Sequence, residues 1–277
     1  MKRIVTVQDI SCLGKCSLTV ALPIISAMGT ECCVIPTAVL STHTMFSRFT
    51  FRDLTEDIPA IMDHWEEEKF RFDAIYTGYL GSQQQLDMVA DLFSRFSGLR
   101  VVDPVMADHG KLYAGFSPEF PKAMAKLCGK ADILLPNLTE ACFMLDVPYR
   151  ETCDRPFAET LLRGLTGLGA KIAVLTGMSF EEGKVGFLGY DSEKNQFFEY
   201  YNQKIDAAYH GTGDIFASTA VGALMAGLEL QKALSVAADY TAECIRITKE
   251  DPVDLRYGVY FERALPGLVK RLEEERA

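Results

Sequence analysis

The chain has 277 residues, 48% hydrophobic and 24% charged, an ordinary globular composition long enough for one large domain or two small ones. Its net charge of −10, from 28 basic and 38 acidic residues with no basic run rising above it, argues against a nucleic-acid partner. Eight irregularly spaced cysteines without a CxxC pair fit neither a disulfide framework nor a zinc site, and no apolar run reaches the length that spans a bilayer.

Ile4 to Val7 is a short β-type run that stops at Gln8-Asp9. Residues 14–29, GKCSLTVALPIISAMG, are apolar at helical length, with Pro23 set to kink or break the helix. Cys32 to Leu40 is a second strand, interrupted by Pro36 and followed by the polar run Ser41-Thr42-His43-Thr44. Leu54 to Phe70 is helical. Ala74 to Thr77 is a third strand, ended by Gly78-Tyr79-Leu80-Gly81-Ser82. A helix over Gln83 to Phe96 leads to a fourth strand, Leu99 to Val102, which ends at Asp103-Pro104. Asp108 to Gly115 suits a mobile loop over a site. After a helix from Pro118 to Cys128, a fifth strand, Asp132 to Leu135, stops at Pro136-Asn137. Helices from Thr139 and over Phe157 to Leu168 precede a sixth strand, Ile172 to Leu175, stopped by Thr176-Gly177. Val185 to Tyr190 and Gln196 to Tyr201 read as an antiparallel hairpin. His210-Gly211-Thr212-Gly213-Asp214 then opens a long apolar helix, followed by helices from about Leu230 to Thr248 and from about Phe261. This alternation, without linker or repeat, predicts one α/β domain over residues 1–277, with a mostly parallel sheet, helices on both faces and the hairpin at its edge.

The HGTGD stretch carries the chemistry. Glycines before a helix let backbone N–H groups converge on an anion, where the helix N-terminus adds partial positive charge. A carboxylate at Asp214 beside such a nest can take a proton from an attacking hydroxyl, as phosphoryl transfer requires. A glycine-rich turn with Asp214 as helix N-cap would explain the same residues. Asp9, Thr44, Tyr79, Asp103, Asn137 and Thr176 all fall just past expected strand ends, where open α/β sheets bind ligands. Asp103, Asn137 and Glu140 suit a hydrated Mg²⁺, and helix capping accounts equally for Asn137 and Glu140.

Taken in order, DPVM at 103–106, NLTE at 137–140 and GTGD at 211–214 resemble the ribokinase-fold small-molecule kinases. STHT at 41–44 and GYLGS at 78–82 make the chain similar, more closely, to pyridoxal kinases. The resemblance implies a ribokinase-like fold and an ATP-dependent, Mg²⁺-requiring homodimer that phosphorylates the 5′-hydroxymethyl group of pyridoxal, pyridoxine or pyridoxamine; a soluble cytoplasmic protein is the default expectation from a start, MKRIVTVQDI, without a signal-peptide pattern. It implies Asp214 as base and Gly211, Thr212 and Gly213 as anion hole. By the same resemblance Asn137 and Glu140 position Mg²⁺ and phosphates, Asp103 lies near metal and γ-phosphate, and Asp108, Thr176 and Gly177 lie by the nucleotide. Asp9, Ser11, Thr44 and Tyr79 would surround the pyridine ring, with His43 beside them.

Three positions depart from the family. Asp9 stands where a Ser is common, which would suit a protonated ring nitrogen or an amino group. Leu135 replaces a Thr near a monovalent-cation site, leaving K⁺ use open. Ala107 replaces a glycine after the DPVM-type segment. The competing expectations are a hydroxymethylpyrimidine kinase of thiamine synthesis, which NLTEA also fits, and a non-catalytic vitamer-binding protein on the same fold.

Overall fold

The computed structural model describes residues 1–207, 209–251 and 254–276. Its frame is set by hydrophobic runs too apolar to face water on either side. Strands β1 (Arg3–Ser11), β2 (Glu31–Leu40), β4 (Ala74–Thr77), β5 (Leu99–Val102), β8 (Ile133–Leu134) and β9 (Ile172–Met178) pair in parallel. A short strand β3 (Phe51–Asp53) adds antiparallel to β2 at one edge, and β10 (Lys184–Asp191) with β11 (Gln196–Gln203) forms the expected hairpin at the other. The sheet order is β11-β10-β9-β8-β5-β4-β1-β2-β3. The third strand was not expected, because all three of its residues are exposed and give no hydrophobic signal.

Such doubly buried strands need helices on both faces. Helices α2 (Ile58–Glu67), α3 (Gln83–Arg95), α4 (Phe120–Cys128), α5 (Leu138–Met144) and α6 (Arg155–Gly167) cover one face, where Val5, Ile75, Val102 and Leu175 meet Met62, Leu86, Met124 and Leu161. The other face, with Ile4, Tyr76, Val101 and Val174, packs on α1 (Leu18–Ala27), α7 (Thr212–Met225) and α8 (Leu230–Glu250). Helix α9 (Phe261–Arg276) closes a third cluster against α1 and α8.

Three local outcomes differ from the sequence expectation, each for a stated reason. First, β1 runs on through Asp9 to Ser11, because its register to β2 shifts between Gln8 and Ile10, which pair with Pro36 and Val39. Pro36 stays in register opposite Gln8, and the extra residue lies after it on β2, a bulge. Asp9 is therefore a strand residue at a bulge, not one past the strand's end. Second, α1 starts at Leu18 rather than Gly14, and it continues through Pro23 without a break. Third, β9 continues past Thr176 to Met178, with Gly177 at φ 69° opposite the register shift at Gly186/Phe187, a glycine bulge.

The segment expected to be a loop over the site begins as a miniature hairpin, β6 (Ala107–Asp108) with β7 (Lys111–Leu112). Its two turn residues, His109 at φ 50° and Gly110 at φ 73°, are both left-handed, as a two-residue hairpin demands. The Asn137 amide donates to the Ala107 carbonyl at 2.8 Å, and the Gly110 N–H donates to the Thr139 hydroxyl at 3.1 Å. A Cβ at Gly110 would come within 2.7 Å of the Tyr149 ring. Gly110→Ala should therefore lower stability by more than about 1 kcal/mol, seen as a lower denaturant midpoint. An unchanged midpoint would show that the turn relaxes freely.

Candidate active site

The C-terminal ends of the parallel strands collect the polar groups, and α7 is aimed at them. Its N-cap is Gly211 at φ 82°, where a Cβ would overlap the Lys15 carbonyl oxygen. No other residue type fits there without moving the loop before α1. Asp214 is the third helical residue, so the N-cap explanation fails for it. Its Oδ2 instead accepts the backbone N–H of Ser17, 3.0 Å away at the start of α1. The first-turn N–H groups of α7 have no partner within the helix and face the same space, an arrangement that attracts anions. Burial pushes the Asp214 carboxyl up to about 7; the Ser17 N–H opposes the rise and the charge of Asp9 adds to it.

Asp9 is 5% exposed, and its Oδ2 accepts a hydrogen bond from the Ser11 hydroxyl at 3.2 Å. Burial raises its pKa, against the hydroxyls of Ser17 and Ser11 and the nearby His43. Tyr79 is also raised, by burial and then by the charge of Asp9. Tyr79 packs on Phe116 with ring centroids 5.5 Å apart. His43 is buried, and its Nε2 lies 2.6 Å from the Arg256 carbonyl while Nδ1 accepts from the Met45 N–H. Nε2 is thus the protonated nitrogen. The ring stacks on His210 at 4.3 Å, a structural position that leaves its polar atoms used. Thr44, next to it, is exposed.

At the other end, Asn137 caps α5 in a full capping box. Its Oδ1 accepts from the Glu140 N–H and Glu140 Oε2 accepts from the Asn137 N–H, both at 2.9 Å. Glu140 Oε1 also accepts from the Met106 N–H at 3.1 Å. The capping expectation is thereby realised, and it fixes the carboxylate at the end of β5. Burial pushes Glu140 up to about 8 despite these backbone donors. Asp103, 6% exposed, is held well above the usual carboxylate range by burial, then by the charges of Glu140 and Asp214. Asp108 is exposed and contacts His109, with Nδ1 to Oδ2 at 3.0 Å. Thr176 forms a parallel bridge with Asn137 and donates its N–H to the Pro136 carbonyl at 3.0 Å. Gly177 beside it is exposed.

A buried Asp103 that the charge of Glu140 raises further would welcome a cation beside it. Asp103 and Glu140 offer few carboxylate oxygens, which suits an ion that keeps most of its waters, as Mg²⁺ does; among the described residues no three His, Cys, Asp or Glu side chains gather around one point. Leu135 is packed in the apolar cluster with Val101 and Tyr76 and offers a cation no side-chain oxygen. A groove of about 470 Å³ lined by Phe187, Tyr200, Glu229 and Lys232 contains none of the candidate residues.

Three participants escaped the sequence reading. Ser17 orients Asp214 through its backbone, and the small polar residue before the apolar run Leu18–Ile25 was the available signal. Thr139 pins the β6–β7 hairpin from inside the NLTE motif. Tyr113 follows the β6–β7 hairpin, its N–H donating to the Met106 carbonyl at 2.9 Å, and its hydroxyl is raised by burial and then by the charges of Glu140, Asp108, Asp103 and Asp214; nothing in its local sequence marked it.

The sequence pattern of the phosphomethylpyrimidine kinase family matches residues 22–259. The chain belongs to that family. Among relatives of this kinase, a pyridoxine/pyridoxal/pyridoxamine kinase of Bordetella avium is 25% identical over 264 residues, covering 89% of this chain and 85% of its own. A hydroxymethylpyrimidine/phosphomethylpyrimidine kinase of Helicobacter pylori is 30% identical over 200 residues, 69% of this chain and 70% of its own. A provisionally named phosphomethylpyrimidine kinase of Bacteroides thetaiotaomicron, crystallised with pyridoxal, superposes with a TM-score of 0.92 at 39% identity, covering 96% of this chain and 95% of that one. The pyridoxal kinase of Lactobacillus plantarum superposes with a TM-score of 0.91 at 30% identity over 99% of both chains. The ribokinase-like fold and the kinase assignment stand on these likenesses together with the sheet described above. No described helix is long and apolar enough to cross a membrane.

The raised carboxyls of this kinase have a thermodynamic consequence. Asp214 shifts from an ordinary 3.8 to about 7 and Glu140 from 4.5 to about 8, so the folded protein binds more protons than the unfolded chain between these values. Their favourable contribution is complete below the ordinary values and is lost as pH rises through 7 to 8. The melting temperature of the ligand-free kinase should fall from pH 6 to 9, and Mg²⁺ should raise it more at pH 9 than at pH 6. A Mg²⁺ effect independent of pH would remove Glu140 and Asp103 from the cation's surroundings.

Proposed function

We propose that this kinase transfers the γ-phosphoryl group of ATP to the 5′-hydroxymethyl group of a vitamin B6 vitamer. The observation that carries the reading is Asp214, held by the Ser17 N–H at the start of α7 and near enough to Asp9 and Asp103 for their charges to act on one another. A base whose pKa lies near the working pH is the efficient one. Asp214 takes the proton as the hydroxymethyl oxygen forms its bond to the γ-phosphorus, and the bond to the departing ADP oxygen breaks. Gly211, Thr212 and Gly213 cradle the transferring group with backbone N–H donors and the helix dipole. Asp103, Asn137 and Glu140 would hold Mg²⁺ through its waters, and when bound the ion neutralises charge on the phosphates. Asp108, Thr176 and Gly177 lie along the nucleotide; Asp9, Ser11, Thr44 and Tyr79 surround the ring.

Hydroxymethylpyrimidine is the second acceptor to consider, supported by the family match and the Helicobacter pylori relative. A carboxylate at Asp9 suits either an aminopyrimidine or a protonated pyridine. A homodimer fits the apolar edge at Met45, Phe49 and Phe51, which are 51%, 42% and 55% exposed beside β3.

Asp214→Asn keeps size and hydrogen bonding but not proton acceptance. Turnover should fall about 10²-fold or more with nucleotide affinity kept, measured by ATP consumption and by calorimetry; near-normal turnover refutes the base. Asp9→Ser should change the ratio of kcat/KM values among pyridoxal, pyridoxamine and hydroxymethylpyrimidine by roughly tenfold or more, leaving the KM for ATP in place. Unchanged ratios with a shifted melting temperature would make Asp9 a purely structural residue.

A further inference from the structure

Gln85 is the third residue of α3, and its side chain does more there than the start of a helix requires. Ser82 caps the helix, its hydroxyl accepting the Gln85 N–H at 3.2 Å. In a capping box the third residue's side chain returns the bond to the N-cap's own N–H. Gln85 reaches one residue further back, and its Oε1 accepts the Gly81 N–H at 2.7 Å. Its Nε2 donates to the Thr55 hydroxyl at 2.9 Å and to the Thr37 carbonyl of β2 at 3.3 Å. The residue is 3% exposed, so a buried amide has its oxygen and its nitrogen both engaged.

That amide has one orientation available. A carbonyl accepts and cannot donate, so the Thr37 carbonyl fixes the nitrogen on its side and the Gly81 N–H fixes the oxygen on the other. The Thr55 hydroxyl, an acceptor for Gln85, donates in turn to Asp53 Oδ1 on β3. The donors therefore run one way, from the Gly81 N–H through Gln85 and Thr55 to a carboxylate. Bonds in such a chain polarise and strengthen one another, most of all where the chain ends on a charge.

At its other end the chain holds Gly81, and Tyr79 lies on Gly81. A Cβ there would stand 3.5 Å from Tyr79 Cε1 and 3.7 Å from its hydroxyl, so the outer edge of the ring rests against this backbone. The residues between and before them are fixed too. Leu80 is fully buried, and a Cβ at Gly78 would meet Gln8 Oε1 at 2.7 Å. Gly81 itself is exposed; without Gln85 water would satisfy its N–H, and the backbone under the ring would lose its anchor.

We propose that Gln85 is a positioning residue for the acceptor: through Gly81 it sets where Tyr79 stands beside the substrate ring. Thr55 and Asp53 take part by keeping the amide turned toward Gly81. The partners of the side chain, Thr37, Thr55 and Gly81, are apart from the residues assigned to the nucleotide, so the effect falls on the acceptor. This rests on the reading that Tyr79 borders the ring.

The test is a double-mutant cycle in the full chain, with steady-state kinetics on pyridoxal and thermal melting of each protein. Gln85→Met keeps the length of the side chain and removes its donor and acceptor. The KM for pyridoxal should rise about fivefold, as for the loss of one ordinary hydrogen bond. Over the same change kcat and the KM for ATP should stay within about twofold. Thr55→Val keeps the shape and cuts the chain beyond the amide, so it should raise the same KM by less; it carries the test if Gln85→Met does not fold. In a Tyr79→Ala background neither substitution should raise the KM further, because the ring they position is gone. A KM for pyridoxal unchanged in both variants, whatever their melting temperatures, makes Gln85 a helix-start residue only and overturns the proposal. An equal rise with and without the Tyr79 ring overturns it as well, since the effect then bypasses Tyr79. Tyr79→Ala alone tests the underlying reading: if it leaves the KM for pyridoxal in place, that reading fails and this inference with it. If it raises the KM and Gln85→Met does not, only this inference fails.

Discussion

The contact on which the site depends is the hydrogen bond from the Ser17 N–H to Asp214. It joins the starts of two helices that lie 197 residues apart in sequence, and it is possible only because Gly211 brings its backbone against the Lys15 carbonyl. Everything nearby inherits its position from that approach. His43 fills the space that a side chain at Gly14 would take, His210 stacks on His43, and the Arg256 carbonyl closes over the pair. The left-handed glycines at 14, 211 and 258 are the conformational requirement of this junction.

Around the junction the fold gathers carboxylates rather than dispersing them. Asp9, Asp103, Glu140 and Asp214 come from the ends of two strands and the beginnings of two helices, and each is raised by burial before any neighbour acts. A folded protein tolerates such a group only when the rest of its structure over-determines it. Here the long apolar faces of β1, β4, β5 and β9 supply that excess. The acidic group is held ready for positive charge that a ligand must bring.

Much of this was legible beforehand because parallel strands buried on both faces write themselves as continuous apolar runs. Ala74–Thr77 and Leu99–Val102 were read with the bounds they have, and the motif residues after the strands fall at one end of the sheet. What was not legible depended on pairing. Asp9 lies in β1 because that strand goes on pairing with β2 across a register shift, a fact about two segments at once. β3 carries no pattern because it is exposed throughout. Ser17 acts through a backbone N–H, which every residue but proline has, and Tyr113 follows the β6–β7 hairpin with nothing in its local sequence to mark it. The gathering of Asn137, Thr139 and Glu140 was visible as NLTE; that the same atoms both cap a helix and border the site was not.

That double use constrains how the protein can change over generations. Asn137 and Glu140 complete the capping box, and Asn137 and Thr139 also hold the β6–β7 hairpin. A substitution at any of them alters folding and the site together, so selection on one cannot be relaxed without loss in the other. The glycine bulge at Gly177 has open space around the position of a side chain, yet its φ of 69° still favours glycine, so it is restrained by its backbone alone and not by a second contact.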